Sequence, residues 1–315
     1  MKDNPQLLPR YAGIPTFLRC PYTEQYDDID IAIIGVPFDG GVTNRTGARH
    51  GPREVRNQSS LMRTINQSTG IAPFELCRVA DVGDAVPDNP FELVAGHKTI
   101  ENFFNKIVEQ NIMPLSVGGD HSVTLPILRA LAKDGPVALV HFDAHCDTGD
   151  DYLGSKFHHG SPFKIAAEEG LIDPKKTIQI GIRGSITDRD IWKFSYESGM
   201  RVIHMEEFYE LGVKKIIEEI HLLVGDTPAY ITFDVDGLDP VFAPGTGTPE
   251  IGGFTTLEAQ LMIRGLSGLN IIGGDVVEVA PPFDPTGYTA LAGASILFEI
   301  LCVASQSLNQ KQNNT

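Results

Sequence analysis

The chain has 315 residues, 42% apolar and 21% charged. This is the composition of a globular protein with enough chain for a large core. A formal charge of −16 argues against nucleic acid, which needs a basic face, and against an anionic membrane. No run of 18 uncharged apolar residues occurs, so no membrane span is expected. The start, MKDNPQLLPRYAG, has no apolar core segment of the kind a secretory leader needs.

Cys20, Cys77, Cys146 and Cys302 are scattered and form no CxxC pair, the pattern of reduced thiols in a cytoplasmic protein. No linker or charge block divides the sequence. A single domain over 1–315 is expected, with an N-terminal extension over roughly 1–28 and a polar tail over roughly 305–315 that frays.

In chain order, residues 29–36 (IDIAIIGV) read as a buried strand, followed by the glycine-rich loop FDGGVTNRTGARHGP. Such a loop reads as functional rather than regular. A helix is expected from Arg53 to Met62, with Pro52 in its first turn. A short strand at 78–82, a helix within 91–110 and a strand at 112–117 follow. The last of these runs into Gly118-Gly119-Asp120-His121 and a helix over 124–132.

The central stretch is VALVHFDAHCD at 137–147. Its apolar run suits a strand buried on both faces. It then stops in Asp143, His145 and Asp147, each two positions apart. A backbone still extended there would aim the three side chains to one side. Beyond it come helix 162–169, strand 177–182, helix 192–198, strand 201–204 and helix 214–224. Strand 229–233 runs into Asp234-Val235-Asp236-Gly237-Leu238-Asp239-Pro240. Helix 256–266, a strand at 270–279 ending at Glu278, and helix 291–303 complete the chain.

Strand alternating with helix predicts an α/β fold with a mainly parallel sheet covered on both faces. Ligands of such sheets bind beyond the carboxyl ends of the strands. His121, the Asp143–Asp147 group, Asp234 with Asp236, and Glu278 each follow an apolar strand. Buried carboxylates so gathered repel one another unless a cation compensates them.

His121, Asp143, His145, Asp147, Asp234 and Asp236 make the expected metal shell. Its four carboxylates carry −4, which two divalent ions cancel. Oxygen-rich ligation with some imidazole suits Mn²⁺, while Zn²⁺, Fe²⁺ and Ni²⁺ stay open. Each part also has a structural reading. Asp120-His121 could be a helix cap beside a packed histidine, Asp234 and Asp236 turn caps, Glu278 a strand-end carboxylate, and His159 a surface histidine. His141, among apolar neighbours, reads as a core or supporting residue. Cys146, by alternation, faces away from the shell.

GGDHS at 118–122, DAHCD at 143–147, FDVDGLDP at 233–240, PGTGTPEIGG at 244–253 and DVVEV at 275–279 resemble the motifs of the ureohydrolase family. That family comprises arginases, agmatinases and guanidino-acid hydrolases. The similarity runs from Pro9 to Val303 and is closer to the agmatinase and guanidino-acid branch. It implies a three-layer α-β-α sandwich, two Mn²⁺ ions and a homo-oligomer, a trimer or hexamer.

It further implies that His121 and Asp147 hold one ion and His145 and Asp236 the other, with Asp143 and Asp234 shared. His159 corresponds to the mobile proton-carrying histidine and Glu278 to the guanidinium-binding glutamate. His158, its neighbour, is the alternative proton carrier. Thr46 stands where many agmatinases have proline.

The implied reaction is hydrolysis of a guanidino compound to urea and an amine, with Asp143, His159 and Glu278 in the chemistry. The pocket mouth is expected from 42–50 and 147–159, with Asn44 as a substrate contact and charges of both signs: Arg45, Arg49, His50, Asp150, Asp151, Lys156 and His158. The wording GGVTNRTGARHGPREVRNQSSLMR is similar to enzymes acting on 3-guanidinopropionate or 4-guanidinobutyrate, which is the expected substrate class. Agmatine and a nickel-dependent attack on free guanidine are the alternatives. A formimidoyl-amino-acid hydrolase, a deacetylase-like enzyme and a non-catalytic metal-binding protein are further ones.

Overall fold

Short runs of Ile, Val, Leu and Phe without polar alternation cannot leave a face in water. In the computed structural model, which describes residues 6 and 8–314 (without the side chains of the last two), these runs become eight strands. They are β1 (Ile31–Gly35), β2 (Val79–Asp84), β3 (Met113–Val117), β4 (Val137–Phe142), β5 (Ile172–Ile182), β6 (Arg201–His204), β7 (Ala229–Asp234) and β8 (Ile271–Val277). They make one sheet in the order β2-β1-β3-β8-β7-β4-β5-β6, and every strand pairing is parallel.

The connections carry α1 (Gly51–Ser59), α2 (Pro73–Leu76), α3 (Leu93–Val108), α4 (Thr124–Leu131), α5 (Pro162–Glu168), α6 (Lys193–Ser198), α7 (Met205–Val224), α8 (Thr256–Arg264) and α9 (Tyr288–Asn314). The two-residue period of a strand separates the layers. Ile31 and Ile33 belong to one apolar layer with Val55 of α1, Ile216 and Ile220 of α7, Met262 of α8 and Leu297 of α9. Ala32 and Ile34 belong to the layer on the other face, with Ile100 and Phe104 of α3, Leu128 of α4 and Phe163 of α5. The result is the expected three-layer α-β-α sandwich.

Several elements run longer than their pattern suggests. α7 begins at Met205 because Gly212, at φ 72°, joins two helical pieces into one element. β5 starts at Ile172, where it pairs with Val137 ahead of a register shift. In the described part of the polar tail α9 continues as helix to Asn314, with Ser305 and Ser307 buried and Ser307 Oγ accepting from Ile271 N at 2.9 Å. Ser307 thereby satisfies the sheet's backbone rather than facing water. Residues 1–5, 7 and 315 of the expected extension and tail lie outside the described residues.

α9 is the one helix among the described residues long and apolar enough to cross a membrane. However, 83% of its apolar window is buried inside the protein. Its only charge in that stretch, Glu299, is buried and held by Arg264 at 2.5 Å and Asn66 at 2.7 Å.

The N-terminal segment belongs to the core. Phe17 and Cys20 are fully buried, and the Arg56 guanidinium stacks on the Phe17 ring at 4.0 Å. Asp81 of β2 fastens both. Its Oδ2 accepts from Phe17 N at 2.9 Å and Arg56 Nε at 2.8 Å, and its Oδ1 from Arg56 Nη2 at 3.0 Å. Removing one partner of a buried ion pair costs about 3–5 kcal/mol. Asp81→Ala should lower unfolding stability in urea by that order and expose the segment around Phe17 to limited proteolysis.

Candidate metal centre

In the sheet order the four strands that end in polar groups are adjacent: β3, β8, β7, β4. β3 and β4 follow each other in sequence, yet β8 and β7 lie between them. This is a switch point, where loops from neighbouring strands part and leave a crevice.

After β3 the chain turns through Gly118-Gly119. A Cβ on Gly119 would come within 1.6 Å of the Phe38 carbonyl oxygen, so only glycine fits this approach. Asp120 caps the next short turn by accepting from Ser122 N at 2.9 Å. This sets His121 inside, with no exposed surface.

After β4 the backbone bends at once, and Asp147 sits at φ 51°. The extended strand expected over 143–147 is therefore absent; a tight turn, not alternation, gathers these side chains. Asp143 Oδ1 accepts from His145 N at 2.6 Å, within the turn itself. Asp234 Oδ1 likewise accepts from Asp236 N at 2.8 Å after β7. Glu278 follows β8 at φ 63°, a left-handed conformation costly to a side chain this size.

All six expected shell residues converge. His121 Nδ1 lies 3.0 Å from Asp143 Oδ2, 3.0 Å from Asp147 Oδ2 and 3.3 Å from Asp234 Oδ2. His145 Nδ1 lies 3.3 Å from Asp143 Oδ1 and 3.2 Å from Asp236 Oδ2. Asp143 therefore turns one oxygen to each histidine, the geometry of a bridging carboxylate.

His121 Nδ1 is buried without any hydrogen-bond partner, although three acidic oxygens surround it. A ring nitrogen so placed among carboxylates fits a cation site, a proton or a metal ion supplying the positive charge. Burial and the facing Asp236 and Asp143 carboxylates push the Asp234 carboxyl well above its ordinary range. Burial does the same to Asp236, beside Asp143, although the His145 imidazole opposes it. Positive charge between these groups would relieve both effects.

His141 also lies within reach of the His121 side of the cluster, but as a donor. Its Nδ1 accepts from Gln179 Nε2 at 3.2 Å, so its Nε2–H points at Asp143 Oδ2, 2.7 Å away. It orients that carboxylate and has no lone pair to offer. Cys146 packs with Ile182 and Val202, away from the cluster. The four cysteines are free and buried.

Beside the cluster, Glu278 Oε1 accepts from His121 N at 2.9 Å and faces His159 Nδ1 at 2.8 Å. Its Oε2 is buried with no partner. His159 Nε2 meets the Thr43 hydroxyl at 2.7 Å. The backbone fixes this histidine too: Gly41 O accepts from His159 N at 2.8 Å, and Asp120 Oδ2 holds Gly41 N at 2.7 Å. His158 turns elsewhere, to the Asp150 carbonyl at 2.9 Å.

A cleft of about 830 Å³ opens onto the cluster, and Thr43, His145, Asp147, His159, Asp234 and Thr248 lie along its floor and near wall. Asn44 and the basic groups of its loop do not line it. The Asn44 amide turns to the Gly247 carbonyl at 3.5 Å. Arg45 bonds the Thr246 and Gly247 carbonyls and covers Phe283, and Arg49 pairs with Asp39. Thr43, not the expected Asn44, lines the cleft, and the carbonyls of the 246–247 turn hold the longer polar side chains of this loop.

The sequence reading missed two features. The far wall is the segment 185–197, including Ile186, Asp188, Asp190 and Trp192; its signal was a polar stretch directly after a strand's carboxyl end. Arg183, almost fully buried, donates to the carbonyls of Asp236 at 2.6 Å, Gly237 at 3.2 Å and Glu250 at 2.6 Å. It clamps the loop that carries Asp236, and nothing in its sequence neighbourhood marks it.

The fold and its sequence have known counterparts. A model of the arginase family matches residues 29–303. A guanidinopropionase of Pseudomonas aeruginosa is 56% identical over 97% of this chain and 98% of that protein. The mitochondrial agmatinase of Gallus gallus is 48% identical over 95% of this chain and 88% of that protein. Among solved structures, a proclavaminate amidino hydrolase from Streptomyces clavuligerus superposes with a TM-score of 0.92 at 39% identity, covering 95% of this chain and all of that one. The chain belongs to the arginase family and is an amidinohydrolase of guanidino compounds.

Proposed function

We propose that the protein hydrolyses a guanidino acid, with 3-guanidinopropionate the best substrate, to urea and an amine. His121, Asp143, His145, Asp147, Asp234 and Asp236 would hold two divalent ions, Mn²⁺ first and Ni²⁺ as the alternative. Two such ions would supply an activated water at neutral pH by lowering its pKa to about 7.

The observation that carries the reading is the unpartnered Glu278 Oε2. A buried carboxylate oxygen with no donor, beside a cation-shaped cluster, suits a guanidinium N–H. Binding there would hold the guanidinium beside the cluster and fix its carbon for attack. The guanidinium carbon is resonance-stabilised and cationic, so orientation and a strong nucleophile both matter.

The leaving amine needs a proton. Burial disfavours the charged form of His159, but the adjacent Glu278 outweighs it and raises the imidazole to about 9. A protonated His159 at the cleft wall, hydrogen-bonded to Thr43, is placed to deliver that proton.

The 56% identity to a guanidinopropionase favours an acidic substrate. The cleft rim favours a second reading. Asp150, Asp151, Asp188, Asp190 and Glu197 line it, and its lysines are committed: Lys164 to Asp150, and Lys193 to Glu197 at 4.0 Å. Such a rim would also welcome the second cation of agmatine.

A urea-release panel over 3-guanidinopropionate, 4-guanidinobutyrate, agmatine, arginine and guanidine, with Mn²⁺ and with Ni²⁺, decides among these. 3-Guanidinopropionate should exceed 4-guanidinobutyrate in kcat/KM by about 10–200-fold, the usual effect of one methylene. Agmatine leading the panel would overturn the guanidino-acid assignment. Asp143→Ala should lose both ions by elemental analysis, and activity with them. His159→Ala should keep its metal while kcat falls about 10²–10⁴-fold; a His159→Ala enzyme with normal turnover would remove that residue from the chemistry.

A further inference from the structure

Asp275 lies in β8, fully buried and outside the six-residue shell. It accepts three hydroxyls: Thr232 Oγ1 on Oδ1 at 2.6 Å, and Tyr230 OH and Thr124 Oγ1 on Oδ2 at 2.8 and 2.7 Å. These come from β7 and from the first turn of α4. Three buried donors on one carboxylate is more than a packing role requires, and one of them leads to the metal cluster.

Thr232 has a single hydroxyl proton, and Asp275 takes it. The same Thr232 oxygen sits 2.8 Å from His121 Nε2 and has only lone pairs left for it. Nε2 must then carry the ring proton and donate it. In the neutral imidazole, the form that ligates a metal, this leaves Nδ1 as the lone-pair nitrogen, and Nδ1 is the atom without a partner that faces Asp143, Asp147 and Asp234.

We propose that Asp275 and Thr232 are positioning residues that lock His121 in the Nε2–H form and so present Nδ1 to a divalent ion. The inference rests on the metal reading above and adds to it a chain of command from a buried carboxylate, through one hydroxyl, to one ligand. His141 is oriented by an independent bond from Gln179, so the cluster's two buried histidines are set by different partners. One of them offers a lone pair and the other a proton.

Three variants test it. Thr232→Val removes the hydroxyl at nearly constant volume. Thr232→Ser keeps it. Asp275→Asn keeps the shape but lets an amide N–H donate to Thr232, freeing the threonine proton to turn toward His121. Metal affinity is read by Mn²⁺ competition against a graded chelator, and the melting temperature of each metal-free protein is followed in parallel. Losing a hydrogen-bond partner of a ligating histidine costs about 10–100-fold in metal affinity. Thr232→Val and Asp275→Asn should show that loss, and Thr232→Ser should restore binding to near the wild-type level.

In the wild-type protein loaded with Zn²⁺ and labelled with ¹⁵N-histidine, His121 should show a slowly exchanging, downfield Nε2–H proton. This measurement decides the case if both variants fail to fold. Wild-type affinity in Thr232→Val and Asp275→Asn, or a rapidly exchanging or missing His121 Nε2–H, overturns the relay while leaving the metal site intact. A wild-type protein that binds none of Mn²⁺, Ni²⁺ and Zn²⁺ overturns the metal reading and the relay with it.

Discussion

The constraint that organises the molecule is the mutual repulsion of four buried aspartates. Asp143, Asp147, Asp234 and Asp236 are all nearly inaccessible to solvent, and burial alone disfavours each charge. The chain meets this locally before any cation arrives. Each turn accepts its own backbone N–H groups: Asp143 from His145, Asp234 from Asp236, and Asp236 Oδ1 from Ala144 at 3.1 Å. The last of these crosses from the β7 loop to the β4 loop and ties the two halves of the cluster together. Arg183 clamps the same loop from behind through its carbonyls. The carboxylates are held in place by dipoles, and the charge balance is left for a ligand to complete.

The sheet makes this convergence possible. Its order places β8 and β7 between β3 and β4, so strands distant in sequence deliver their ends to one crevice. No local signal in the sequence reports that order. The motifs gave the strand ends, and periodicity gave the strands. Adjacency follows only from how the helices of the two layers pack. The reading of six shell residues therefore rested on composition at strand ends rather than on any knowledge of neighbours.

The places where the sequence misleads have physical causes. Alternation suggested an extended 143–147 segment, but residues this crowded with charge find more donors in a turn. Asp147 and Glu278 both accept left-handed backbone, a conformation periodicity cannot express. The polar tail reads as loose because its serines and glutamines look solvated; in α9 Ser307 instead bonds the Ile271 backbone of β8, and Ser305 the Cys302 carbonyl. Asn44 lies outside the cleft lining, its amide turned to the Gly247 carbonyl. Arg183 and Asp275 were illegible for a common reason: each acts through a neighbour, and a residue that positions another leaves no spacing of its own.

The six-residue cluster and the outer rim consequently sit on different parts of the fold, and His159, on the 148–160 segment, lies between them. The groups that would activate water and hold the guanidinium lie on rigid strand ends, each fixed by bonds to backbone or to a buried partner. The rim lies on the segments 148–160 and 185–197, whose acidic side chains are exposed, Asp150 paired with Lys164 and Glu197 with Lys193. A change of rim sign costs the core nothing, because no rim residue bonds a member of the six. An acid-lined mouth over a cluster that already requires divalent cations also attracts those ions. The same surface charge that bears on which substrate tail is accepted can help to draw metal toward the aspartates, whose repulsion it must quench.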